Sequence, residues 1–208
     1  MGELLVGLVA GLVSSIPMLG PVVLLLFTAG AGRELAAGRA LAAGAALSEG
    51  AHVTLAALGL GPLLLSEPTV AIGLRLGSGV VLIGLALIAW RAAPPPGDRA
   101  TRRALPSRPI AAFGLGALLV LPNPGFLVVW VAIVAWLGGG AEAGLASPGL
   151  GFVAGAVLGV ALWFWAVLVM SARWGPVVIE RHGRLVRRAV ALALAGFGLW
   201  AALGALGG

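Results

Sequence analysis

The chain has 208 residues, of which 61% are apolar and only 10% charged, with 34 glycines and no cysteine. A soluble domain carries about 25% charged residues and about 7% glycine, so a water-soluble globular fold is excluded and the bilayer is the expected solvent. The missing cysteines exclude disulfide scaffolds, thiol redox relays and cysteine-ligated metals. The formal charge of +6 does not indicate nucleic acid, which needs basic residues gathered on a water-facing surface; here the arginines sit in short connections between apolar runs.

Apolar runs of spanning length predict an all-α membrane protein with six transmembrane helices, at residues 4–29, 40–65, 69–90, 110–137, 148–172 and 189–206. The first run lacks a basic leader and exceeds the apolar stretch of about 7–15 residues in a signal peptide, so it reads as a retained helix. Arginine counts set the orientation, because cytoplasmic loops are enriched in Lys and Arg. Loop one holds two arginines, loops three and five hold five each, and the opposite side holds only Arg75. Loops one, three and five are therefore expected in the cytoplasm and both termini outside, in a multi-pass protein of the bacterial cytoplasmic membrane.

The basic, proline-containing stretch 94–109 reads as a cytoplasmic linker between a first three-helix repeat, residues 1–93, and a second, 110–208. Three spans per half give the halves opposite orientations, as in an inverted repeat. The first helix of each half is broken at mid-membrane: Pro17, Gly20 and Pro21 interrupt helix one, and Pro122, Asn123, Pro124 and Gly125 interrupt helix four. Each proline lacks an N–H and blocks a helical carbonyl, and in hydrocarbon each unpaired group costs several kcal/mol. Breaks at matching positions in two halves point to a transport site, where carbonyls can meet a cation and half-helix N-termini a carboxylate.

Glu49 and His52 in helix two are three residues apart and share a face. Glu49 is expected near the bilayer centre, where an ionisable group is expensive and by default functional. It can take up and release a proton as its surroundings open to water and close, with His52 as hydrogen-bond partner or relay. Asn123 carries a donor and an acceptor between two prolines and is a candidate for the substrate pathway. Arg75 can snorkel to the outer interface or receive a substrate carboxylate. Gly151, Gly155 and Gly159 in helix five, and Gly73 with Gly77 in helix three, make small-residue faces for close packing within a protomer or between protomers of a homo-oligomer. Trp163 and Trp165 read as packing or depth anchors. No metal site and no cofactor are expected, since two histidines on different elements and one deep carboxylate make a poor ligand set. No Ser–His pair or paired acidic motif suggests an enzyme.

With these residues in view the chain resembles the lysine exporter superfamily, specifically the amino-acid exporters of the LysE/RhtB kind. Leu19-Gly20-Pro21 occupies the position of the family's Pro-Gly-Pro in helix one. The stretch Leu47-Ser48-Glu49-Gly50-Ala51-His52, followed by Leu58-Gly59, resembles the helix-two pattern, and Leu74-Arg75-Leu76-Gly77 the start of helix three. Asn123-Pro124-Gly125 replaces Asn-Pro-Lys in helix four. The chain departs in having Leu19 for the first proline, with Pro17 two residues earlier, Gly125 for the lysine, and no tyrosine. The resemblance implies secondary export of a small-molecule substrate, commonly an amino acid, as an ion- or proton-coupled antiporter. Other branches imply two alternatives: assistance in export or assembly of envelope glycolipids, and metal-ion export.

Overall fold

The computed structural model describes residues 1–15, 20–60, 67–91, 105–137 and 148–206. Among them are seven α-helices and no strand: α1 (Gly2–Ser15), α2 (Pro21–Ala31), α3 (Leu35–Ala57), α4 (Pro68–Arg91), α5 (Pro109–Val120), α6 (Pro124–Leu137) and α7 (Leu150–Leu206). The expected first helix is thus two helices, α1 and α2, and the expected fourth is α5 and α6. Each second piece starts on a proline, which is tolerated at the first helical position because its N–H would have no intrahelical partner there. The helix expected at 40–65 begins earlier and closes at Gly59, whose φ of +70° suits glycine and whose N–H donates to the Ala56 carbonyl. Pro17 and most of the 94–109 linker lie outside the described residues.

The expected fifth and sixth helices are the two arms of α7, and what is corrected is the connection between them. Residues 173–188, expected as a loop, are helical throughout α7. Arg, Leu, Val and Glu there are adequate helix formers, and a proline inside a run, as at position 176, kinks a helix without always ending it. At about 1.5 Å per residue the 57 residues of α7 make about 85 Å of helix, nearly three bilayer cores of about 30 Å. Its two apolar arms are Leu150–Gly175 and Arg188–Trp200. Gly175 packs on Ala31, while Gly198 packs on Gly79 of α4, and nearby Gly77 approaches Pro122 at the α5–α6 break. A straight helix would carry Gly198 about 35 Å beyond Gly175, so α7 turns back between its arms.

By length and composition, the described residues hold one helix able to cross a membrane alone, Leu150–Gly175. The pair α5 and α6, bent by 66°, qualifies as a second if it forms one broken span. The breaks explain part of this shortfall from six: α1, α2, α5 and α6 have only 14, 11, 12 and 14 residues, short of the roughly 20 that cross a bilayer unaided.

Many small residues lie inside, beside large ones such as Trp130, Phe152 and Leu26, and many large apolar side chains lie outside. Ala29, Ala42, Ala45, Ala46 and Ala56 are buried, while Leu5, Val9 and Val13 of α1 and Leu158, Leu162, Trp165 and Val169 of α7 are exposed. An apolar exterior of that extent is unfavourable in water, and small interior residues allow the close helix approach that packs membrane bundles. Two helix pairs use this approach in the same way. A Cβ on Gly155 would fall on the Leu4 carbonyl and crowd the Leu8 amide, and one on Gly44 would do so at Phe113 and Ala117. Reciprocally, Gly7 faces the Phe152 carbonyl and the Ala156 amide, and Gly116 faces those of Leu41 and Ala45. Together α1 and α2 run parallel to the first arm of α7, from Gly7 beside Phe152 to Ala31 beside Gly175. At that end the Leu105 N–H donates to the Glu34 carboxylate at 3.1 Å, so the first loop, the end of the linker and the turn of α7 share one end of the bundle.

Replacing Gly44 or Gly155 by Ala is expected to lower the thermal stability of the detergent-solubilised protein by about 1–3 kcal/mol, the cost of overpacking against groups that cannot move aside. Gly84 has nothing within 4 Å of its missing Cβ, so Gly84→Ala is expected to be neutral or to stabilise by up to about 1 kcal/mol. Equal melting temperatures for the three variants would refute the close-contact account.

Candidate functional site

The two broken helix pairs border a shared cavity. Its lining comes from the end of α1 (Ser15), the start of α2 (Gly20, Pro21, Val22, Val23), Glu49 of α3, Leu119 of α5, Phe126 of α6 and Phe164 of α7. The space amounts to ≈ 320 Å³ including the part open to the exterior, but inside it is narrow, with room for little more than a water molecule. The Ser15 hydroxyl is spent locally, donating to the Gly11 carbonyl at 2.8 Å. The wall is therefore apolar and aromatic with one acid in it.

That acid is held by a residue the sequence did not single out. Glu49 is 1% exposed, and its Oε1 accepts a hydrogen bond from the indole Nε1–H of Trp130, itself fully buried, at 3.1 Å. Trp130 also meets Phe152 edge-on, with centroids 6.3 Å apart and planes at 82°. The signal for Trp130 was present in the sequence: a buried indole N–H needs an acceptor, and Glu49 is the one carboxyl expected at depth. Nothing in the sequence singled out Ser15, Val22, Val23, Leu119, Phe126 or Phe164 from the other apolar and small residues.

The remaining expected residues are placed as follows. Gly20 and Pro21 line the cavity. Gly20 is the extended N-cap of α2 with no side-chain cap, and Pro21 is the first helical residue, so the positive end of the α2 dipole faces the cavity. His52 is buried one turn from Glu49 but is not hydrogen-bonded to it: its ring stacks on Phe126 at 6.3 Å, near backbone groups of Leu121 and Ser48, and its Nδ1 has no hydrogen-bond partner. Asn123 works at the second break, where its Oδ1 accepts the Gly125 N–H at 3.0 Å and caps α6, while Pro124 opens that helix; none of these three lines the cavity. Arg75 lies on α4 with its side chain outside the described residues. Gly155 and Gly159 are occupied within the protomer, against α1. Of the two tryptophans expected as anchors, Trp165 is on the outer surface and Trp163 is half-buried with its Nε1 unpaired. Among the described residues no group of three or more His, Asp or Glu side chains is placed to hold a metal ion.

An apolar exterior around helices broken at an internal cavity is the construction of a membrane translocator, since irregular backbone survives at depth only where protein or a wet cavity satisfies it. Comparison with protein families agrees: the model of the LysE type translocator matches residues 13–204. The chain belongs to the LysE type translocator family of membrane proteins that move small molecules. No curated protein and no solved structure matches it.

The cap at the second break yields a stability prediction. Asn123→Ala removes the acceptor for the Gly125 N–H and is expected to cost about 1 kcal/mol in thermal unfolding, with Asn123→Asp close to the unmodified protein. Equal stability of the Ala and Asp variants would mean the cap contributes nothing.

Proposed function

We propose that the protein is a secondary active exporter of small molecules, namely amino acids or their derivatives, working by alternating access across the bacterial cytoplasmic membrane with proton coupling. One observation carries this reading: a nearly fully buried carboxyl, Glu49, borders a cavity between two broken helices. Glu49 and the N-terminus of α2 present opposite electrostatic signs to the same space. A substrate ammonium is drawn to the first and a substrate carboxylate to the second. In the described state the cavity is too tight for such a molecule, so loading requires one wall to move. Glu49 exchanges a proton for the substrate cation, with His52 as relay near the second break and Arg75 on the path from the outer side.

The paired glycine contacts support six spans arranged as two inverted halves. The α1 contacts with α7 have the same glycine-to-carbonyl pattern as the α5 contacts with α3, and Gly79 of α4 and Gly198 of α7 face each other's carbonyls. The gathering of the first loop, the linker end and the α7 turn at one end, together with their twelve arginines, supports a cytoplasmic position for that end. A docking scaffold for envelope-lipid assembly using the Gly155 and Gly159 face is disfavoured, because that face is already covered by α1.

The test is transport by Glu49→Gln in proteoliposomes with an imposed pH gradient. Gln cannot release a proton, so gradient-driven efflux is expected to be lost while the folded protein remains. Coupled efflux at the original rate would remove Glu49 from the mechanism.

A further inference from the structure

The two helices that follow the breaks are held very differently. In α2 eight of eleven residues are buried, whereas in α6 only Leu127 and Trp130 are buried out of fourteen. The α6 axis also turns 66° from α5, and beyond those two residues the arm meets the core only through partly buried apolar side chains such as Val131, Ile133 and Val134. Trp130 is the polar one of the two, through its bond to Glu49 on α3. One turn before it, Phe126 forms part of the cavity wall, so a movement of the arm changes the wall.

We propose that Trp130 is the positioning residue for Glu49: its indole N–H sets the carboxyl at the cavity wall and, through the same bond, ties the α6 arm to α3, so that protonating the carboxyl frees the arm. The inference rests on the reading of Glu49 as the coupling group and adds the means by which proton arrival moves a helix. The chemistry is that of the acceptor. An N–H donated to an ionised carboxylate is roughly twice as strong as one donated to a neutral group. A protonated Glu49 therefore grips the indole less, which leaves the arm to its apolar contacts alone.

Few other titratable groups face this bond. Helices α2, α5 and α6 contain none at all. On α1 there is only Glu3, far away beside Gly149 and Gly151. The first arm of α7 holds only Arg173, near its end and against Trp174. On α3 itself there are Arg39, ten residues before Glu49, and His52, one turn after it with Nδ1 unpartnered. Among the described residues His52 is thus the one other nearby group whose titration can contribute, and a His52→Gln background separates it.

The chain has no cysteine, so a single thiol introduced as Ser15→Cys in the cavity wall reports when the wall opens. The full-length protein in proteoliposomes is labelled with a water-soluble maleimide at acidic and alkaline pH, correcting for the reagent's own pH dependence with an exposed thiol. In the Ser15→Cys protein, and in the same protein with His52→Gln, labelling is expected to be about tenfold faster on the acid side, the scale of losing one hydrogen bond to a charged group. Adding Trp130→Phe, which keeps an aromatic ring but deletes the donor, is expected to make labelling fast at both pH values. Glu49→Gln is expected to do the same, because a neutral acceptor imitates the protonated state. Phe152→Leu, which loosens the packing around Trp130 and spares the hydrogen bond, is expected to retain the pH dependence.

A Trp130→Phe protein that labels slowly in alkali, with its pH dependence intact, would overturn the proposal. So would a Phe152→Leu protein that loses the dependence as Trp130→Phe does. If Trp130→Phe does not fold, Glu49→Gln decides alone, since slow alkaline labelling by that variant is incompatible with release by neutralisation. Labelling reads the arm and efflux reads coupling, so a failure of the exporter reading and a failure of this one are separately visible.

Discussion

Lipid tails are as apolar as leucine, so helices in a bilayer gain little from burying apolar surface against each other and rely on close backbone approach and dispersion. In this protein that approach occurs at Gly7 and Gly155 between α1 and α7, and at Gly44 and Gly116 between α3 and α5. A side chain at any of these positions would land on a backbone carbonyl of the facing helix. The first part of each broken span is clamped in this way, and the cavity lies between the two broken spans. Glu49 lies on α3, and α6 follows α5, so both belong to segments joined to a clamp.

Within the cavity a single carboxyl stands in an apolar wall. A lone acid in that setting is unfavourable unless its state changes during function, and its one side-chain hydrogen bond comes from α6, which buries only Leu127 and Trp130 fully. The first break is built differently: α2 is packed along most of its length and offers the cavity an uncapped helix N-terminus. One break thus contributes a well-buried electrostatic end and the other an arm with two fully buried residues.

Much of this organisation was legible in the residues. Proline pairs located both breaks because a missing N–H and a ring clash terminate a helix regardless of its neighbours. Glu49 stood out because an ionisable group amid about 25 uncharged neighbours has few structural uses in a span of about 20 residues. Other features were not legible. Residues 173–188 carry arginines that suit either a cytoplasmic loop or a polar helix, and local composition does not choose between them. Asn123 was readable as a polar residue at a break, but whether its amide turns to a substrate or back to the Gly125 N–H depends on the local backbone path. Trp130 looks like any tryptophan in an apolar run until Glu49 is brought to it from a helix 81 residues away in sequence.

The sequence by itself determined the solvent, the positions of the breaks, the gathering of charge on one set of connections and the isolation of one acid, because each follows from the chemistry of single residues or from their spacing along one helix. Only the tertiary structure decided which helices touch at their glycines, that the connection between the two arms of α7 is helical, and that Trp130 rather than His52 holds Glu49. Those outcomes depend on contacts between distant segments, where a difference of a few ångströms in helix approach selects the partner and no local pattern records it.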